Sequence, residues 1–127
     1  MKLPENKPVP KPLVWMGDSL EKIRSFPPAV QDEIGFALYQ AQIGSKHVNA
    51  KPLKSFGPGV LEIVSDYRGD TFRAVYIVRL AEKVYVLHAF QKKSKTGTAT
   101  PRTEIELIRH RLKRAIELHS EKGSHHA

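Results

Sequence analysis

Five cations in this chain could together handle a phosphodiester: Arg68, Arg73, Lys92, Lys93 and Lys95. Arg73 stands in a run otherwise rich in Phe, Val and Tyr, where a guanidinium needs a partner. Two partners are open to it, a phosphate or Glu62 on the preceding apolar run. Arg68 lies in the turn Tyr67-Arg68-Gly69-Asp70 between those runs. From Lys92 to Arg114, eight Lys and Arg stand against Glu104 and Glu106, which leaves +6 of the chain's total of +8. Cations drawn from a turn, a strand and a basic stretch suit a phosphate cleft, because phosphate affinity is set by such convergence.

RNA carries its own nucleophile, the 2′-hydroxyl. Its cleavage needs in-line geometry, removal of that proton, a proton for the 5′-oxygen and stabilisation of the charge gathering on phosphorus. Preorganised Arg and Lys supply the last term, and a lysine crowded by other cations can act as a base. Ring faces and guanidinium planes stack splayed bases. His88, Phe90 and Gln91 precede the basic stretch and are candidate RNA contacts, as are Arg102 within it and Lys54 in an earlier loop. For each there is a plainer reading. His88 suits a half-buried, hydrogen-bonded strand residue, Phe90 suits the core as well as base stacking, and Glu62 suits a structural partner of Arg73. Lys54, beside His47 and Lys51, suits a solvated loop. Binding alone would need the same residue types, so composition does not separate it from cleavage.

Other chemistries find less support. The 127 residues include no cysteine, which removes disulfides, thiol nucleophiles and cysteine–zinc sites together. His125-His126 is a tail dipeptide, and His110 and His119 are nine apart, so neither is a ligand set and no metal is expected. No phosphate-cradling or dinucleotide-binding glycine motif occurs, so no cofactor is expected. The charge and a sequence pI near 9.8 point to polyanions as partners. No apolar run approaches the roughly 18 residues of a spanning helix, and the polar, proline-rich start lacks a signal-peptide core. A cytoplasmic location and no membrane partner are the expectation.

The elements that must position these residues follow from periodicity. Residues 1–12, with Pro4, Pro8, Pro10 and Pro12, read as a flexible arm, residues 13–120 as one domain, and 121–127 as a flexible tail. Leu13 to Met16 is a short first strand. Asp18 or Ser19 caps a helix through Leu20, Ile23 and Phe26, broken at Pro27-Pro28. Pro28 opens a second helix on Val30, Ile34, Ala37, Leu38 and Ala41, closed at Gly44. Lys46 to Pro58 reads as a loop. Val60–Ser65, Thr71–Arg79 and Lys83–Gln91 read as three strands joined by tight turns, hence antiparallel. Strict alternation puts Phe90 and His88 on one side with Val84 and Val86. Pro101 begins a long helix with Ile105, Ile108, Leu112, Ala115 or Ile116, and His119 on one face. The class is α+β, a twisted antiparallel sheet packed against two N-terminal helices and a C-terminal helix.

Four stretches carry a resemblance: Gly59 to Ile63, Phe72 to Tyr76, Tyr85 to Lys95 and Thr100 through Arg109. Together they resemble the phage-related, HigB-like branch of the RelE/ParE toxins, over Leu13 to Glu117. The aromatic-x-Lys-Lys-x-x-Lys stretch followed by Thr-Pro and a helix is the specific part. The resemblance implies a RelE-like fold and a type II toxin that cuts mRNA on the ribosome without a metal or cofactor. It also implies a helix-turn-helix antitoxin as partner. By position it implies Arg73 at the scissile phosphate, Lys92, Lys93 and Lys95 as the basic stretch, and Phe90 at the cleft. Many relatives have an arginine where this chain has Val64, with Arg68 as the nearby substitute. Two other readings of the same resemblance stay open: a ParE-like toxin acting on DNA gyrase without nuclease activity, and a catalytically inactive nucleic-acid-binding regulatory module.

Overall fold

In a computed structural model, which describes residues 9–80, 82–92 and 100–124, the expected α+β architecture is present with one added strand. The order is β1 (Leu13–Trp15), α1 (Ser19–Arg24), α2 (Pro28–Gln42), β2 (Ala50–Pro52), a 3₁₀ turn (Lys54–Phe56), β3 (Val60–Tyr67), β4 (Asp70–Ile77), β5 (Val84–Lys92) and α3 (Arg102–Ser124). The strands form one sheet in the order β1-β5-β4-β3-β2. The three strands β3, β4 and β5 are antiparallel as expected and the added β2 runs antiparallel to β3, but β1 pairs parallel to β5, so the sheet is mixed. The segment read as a loop, Lys46 to Pro58, contains β2 and the 3₁₀ turn. A three-residue strand ending in Pro52 is too short to leave a period-two signal. Among the described residues no helix is long and apolar enough to cross a membrane. The last helix continues through Gly123 to Ser124, beyond residue 120, where a tail was expected to begin.

Local chemistry explains the joints. Pro27-Pro28 ends α1 and places Pro28 at the first position of α2, where its missing N–H is not needed. Gly44, with φ of 84°, takes the left-handed position just past α2. Arg68 and Gly69, both at positive φ (52° and 86°), make the two-residue turn joining β3 to β4, the sense that matches strand twist.

Each face of the sheet has its own core. On one, α1 and α2 bring Phe26, Val30, Ile34 and Leu38 against Ile63, Phe72, Ala74, Tyr76, Val84 and Val86. On the other, α3 brings Ile108 and Ala115, with Leu112 and Ile116 partly buried, against Val60, Val75, Ile77, Tyr85 and Leu87. That is the helix face read from the sequence. The faces exchange residues at one point of β5. Val75 pairs with His88 but Tyr76 pairs with Val86, so Leu87 is an extra residue, a β-bulge. Strict alternation therefore fails here. Val84 and Val86 face α1 and α2, whereas His88 and Phe90 lie opposite Val75 and Arg73 and face α3.

Candidate functional site

The bulge gathers polar groups on the α3 side of the sheet. Arg73 lies opposite Phe90 on β5 and Val64 on β3, and Thr71 lies opposite Lys92. Arg73 and Lys92 are thus diagonal neighbours on one face, a relation that spans roughly 7–8 Å and is within reach of long side chains. Arg73 Nη1 donates to Glu62 Oε1 at 2.8 Å, and the two side chains are 21% and 8% exposed. The ion pair posed from the sequence is therefore real. It neutralises a buried carboxylate and fixes the guanidinium plane, while Arg73 Nε finds no acceptor among the described residues.

One step along β5, His88 is buried at 2% exposure and held from both sides. Arg111 Nη1 donates to His88 Nδ1 at 2.9 Å and to the Leu87 carbonyl at 3.2 Å. A guanidinium can only donate, so Nδ1 is the acceptor and the ring proton sits on Nε2, which donates to Glu104 Oε1 at 2.5 Å. Arg111 Nη2 also lies 3.0 Å from Asp18 Oδ1, an ion pair off hydrogen-bond alignment. Gly17 leaves room for this, since a Cβ there would fall 2.5 Å from Arg111 Cζ. Asp18, Arg111, His88 and Glu104 thus tie the start of α1, strand β5 and the first turns of α3 together. Phe90 stacks on the His88 ring, centroids 5.4 Å apart at 22°.

A cleft of about 660 Å³ opens beside this network, between the α1–α2 junction and the start of α3. Phe26, Phe72, His88, Phe90 and Gln91 line it, with Glu104, Asp18 and Asp70 against Lys22. Its ionised groups are more acidic than basic, so it lies beside the Arg73–Lys92 pair without sharing that pair's charge.

The candidates from the sequence divide accordingly. Arg73, Lys92, His88 and Phe90 share one face. Their roles differ, because Phe90 is only 4% exposed and His88 is fully engaged, which leaves neither ring face open to a base. Gln91 points to the opposite face, beside Phe72, and reaches the cleft from there. Arg68 is exposed at the hairpin tip, its guanidinium 5.2 Å from the Tyr67 ring. Arg102, the first residue of α3, is 90% exposed and pairs with Glu106 at 3.3 Å. Lys54 is exposed in the 3₁₀ turn, away from Arg73 in the sheet order. Lys93 and Lys95 lie outside the described residues. The sequence reading missed Arg111 and Glu104 as a set. Their seven-residue spacing, two helical turns, puts both on one side of α3, and a strand histidine needs two such partners.

Comparison with known proteins closes the description. The family model described as phage-derived protein Gp49-like (DUF891) matches residues 21–113. A chain of the toxin–antitoxin complex RelBE2 from Mycobacterium tuberculosis aligns at 18% identity and a TM-score of 0.45, covering 68% of this chain and 95% of that one. No curated protein is significantly similar in sequence. With its match spanning four of the five strands, from within α1 to within α3, the chain belongs to the phage-derived Gp49-like family, a family of RelE-type toxins.

Proposed function

We propose that this toxin is a metal-independent endoribonuclease that cuts mRNA on the ribosome by attack of the 2′-hydroxyl on the adjacent phosphorus. The products are a 2′,3′-cyclic phosphate and a 5′-hydroxyl. One observation carries the reading. Arg73 is pinned by Glu62 through Nη1 yet its side chain remains about a fifth exposed, a diagonal step from Lys92. A held guanidinium with a second cation beside it favours the phosphorane over the ground-state phosphate, because charge builds on the equatorial oxygens as the nucleophile closes. Glu62 acts by orienting Arg73, which a flexible guanidinium would otherwise do at an entropic cost.

His88 is unsuited to be the base, since both ring nitrogens are already bonded inside the protein. That leaves proton transfer to the lysines at and after the end of β5, among Lys92, Lys93 and Lys95, with Arg68 assisting from the hairpin tip. The ribosome supplies what a small basic protein lacks, an mRNA already held in a bent, in-line conformation. The natural partner is an antitoxin encoded with the toxin, of the helix-turn-helix class, and the site of action is the cytoplasm.

The test is primer extension on a reporter mRNA after brief induction in cells, beside the Arg73→Ala variant. New 5′ ends inside the coding region, absent with the variant, are expected. Intact mRNA with arrested growth would replace this reading by a gyrase-directed one. Intact mRNA with normal growth would leave a binding module.

A further inference from the structure

Helix α2 carries a second seam on the side away from the sheet. Val30, Ile34, Ala37, Leu38 and Ala41 are buried in the core beneath it. On the opposite meridian Ala29, Asp32, Phe36, Tyr39 and Ile43 follow one another at alternating steps of three and four, the spacing of a helix face that meets another helix. Phe36 is 55% and Tyr39 47% exposed. Phe36 meets the His47 ring edge-on at 5.7 Å, and Val48 beside it is 88% exposed. Of the five large hydrophobic side chains exposed among the described residues, three therefore gather at this one surface, and such a patch marks an interaction site more than scattered residues do. Gly35 sits in the same face, exposed in mid-helix, and a Cβ there would meet nothing within 4 Å. Glycine weakens a helix relative to alanine, and the chain's own packing does not call for one here. It leaves a recess beside Phe36 and Tyr39.

We infer that this seam is the interface of a homodimer, in which the α2 helices of two copies lie antiparallel about a two-fold axis between Phe36 and Tyr39. Charge selects the occupant. The chain as a whole is +8, yet α2 has no Lys or Arg. Around the seam three carboxylates, Asp32, Glu33 and Asp66, stand against two lysines, Lys46 and Lys51. Glu33 is engaged by Ser65 and Asn49 at 2.6 and 2.8 Å. A slightly acidic surface has no attraction for nucleic acid or anionic lipid, and it is the part of a basic protein that least repels a second copy. The ends of the seam differ, with Asp32 exposed toward the start of α2 and Lys46 exposed just past its end. A fitting partner offers aromatic surface in the middle and the two charges in reverse order. The same seam turned end for end meets that description. In the antiparallel pair Asp32 of one copy and Lys46 of the other stand roughly 8 and 13 Å along the helix from the axis, a gap that a lysine side chain spans. Phe36 of each copy meets Tyr39 of the other, with the Gly35 recess to receive a ring. Because α2 and α3 cover opposite faces of the sheet, both Arg73–Lys92 pairs stay open in the dimer. The inference concerns α2 alone and stands or falls apart from the nuclease reading.

The experiment is sedimentation equilibrium of the whole chain, without RNA, from about 1 to 300 µM. A single helix face with one loop residue is smaller than the roughly 800 Å² a side of a standard interface, so association in the micromolar range is expected. The mass should rise from 14.3 kDa toward twice that value. Phe36→Ser enters a two-fold interface twice and should weaken association about tenfold or more. Gly35→Gln fills the recess and should also weaken it about tenfold, while raising the melting temperature at a concentration where both proteins are monomeric. Loss of dimer with gain of stability is not what a damaged fold gives. Asp32→Lys should weaken association several-fold, and adding Lys46→Glu should restore it. A mass that stays at 14.3 kDa throughout gives the surface to a different protein and overturns the proposal. So does a dimer indifferent to Phe36→Ser and Gly35→Gln. A charge reversal that Lys46→Glu does not rescue overturns the antiparallel pairing.

Discussion

The two faces of the sheet solve the same packing problem in opposite ways. Beneath α1 and α2 the contacts are almost wholly apolar, and the large polar exception, Tyr76, has a hydroxyl with no partner. Beneath α3 the apolar core stops part-way, and Glu62, Arg73, His88 and Arg111 occupy the rest, nearly every charge paired. A face that only has to hold the sheet together tolerates one unsatisfied phenol. A face that carries charge needs a partner for each group, because an unpaired buried charge costs several kcal/mol. That asymmetry supports the proposal that the α3 side is the working side, and each of the following experiments strains it.

The largest effect is expected at His88. Replacing it by Ala removes the acceptor of Arg111 and the donor to Glu104 together, leaving two charged groups facing a cavity. Glu104 is a quarter exposed and can recruit water, so the loss should be about 3 kcal/mol, toward the lower end for a broken buried pair. For a domain of this size that is a fall of roughly 10 °C in melting temperature. Differential scanning calorimetry measures it. A fall of less than about 3 °C would mean that the network is incidental and the contrast between the faces overstated.

Arg73 comes next, read in cleavage. Arg73→Ala should lower single-turnover cleavage of ribosome-bound mRNA about 100-fold, the usual loss for one preorganised donor to a transition state. Arg73→Lys keeps the charge but not the fork, and should recover only part of the rate. Rates equal to the parent protein in both variants would move the chemistry off this face altogether.

How much of this was legible beforehand depends on which interactions are local. The helix boundaries at Pro27-Pro28 and Gly44, the hairpin at Arg68-Gly69 and the α3 face through Ile105, Ile108 and Leu112 are set by residues within a turn or two of one another. They were read correctly, and of the two partners posed for Arg73 the Glu62 pair, which needs only adjacent strands in a plausible register, is present. The bulge at Leu87 was not legible. A run such as Val-Tyr-Val-Leu-His-Ala-Phe alternates equally well with or without an extra residue, and only packing against both helical layers decides. Because of it, His88 and Phe90 were assigned the companions Val84 and Val86 when they belong with Arg73. The parallel pairing of β1 depends on contacts more than sixty residues apart in sequence, Leu13 with Val84, which no local pattern encodes.

Tyr76 tests the quiet face. Its burial pushes the phenol up from 10.0 to about 12, because the interior disfavours the phenolate. Tyr76→Phe removes a hydroxyl that bonds to nothing in the described structure and should stabilise the protein by about 1 kcal/mol at neutral pH. The sign of the pH effect follows from the raised value. Below pH 10 the phenol is neutral whether the chain is folded or not, and the group adds no pH dependence. Above 10 the unfolded chain ionises first, so the parent protein loses stability as pH rises through the folded value. The advantage of the Phe variant should therefore widen above pH 10, by up to about 1.4 kcal/mol per unit until about 12. Urea titrations of both proteins at pH 8 and pH 11 measure the gap. A constant gap would mean that water reaches the phenol and burial does not raise it.

The smallest effect separates structure from function at the hairpin tip. Arg68 is the one described non-glycine residue at positive φ, 52°, a conformation that strains any residue with a Cβ. Arg68→Gly should therefore stabilise the hairpin by roughly 0.5–1 kcal/mol, with φ of the turn unchanged. An arginine kept at a strained position against that gradient has a reason to be there. One reason is the Tyr67 ring beneath it, a contact worth about 0.5 kcal/mol at an exposed site. The other is phosphate. A glycine variant that is more stable but cleaves mRNA several-fold more slowly assigns Arg68 to the substrate and extends the working face to the end of the β3–β4 hairpin. A variant that is more stable and equally active confines that face to Arg73 and its neighbours on β5.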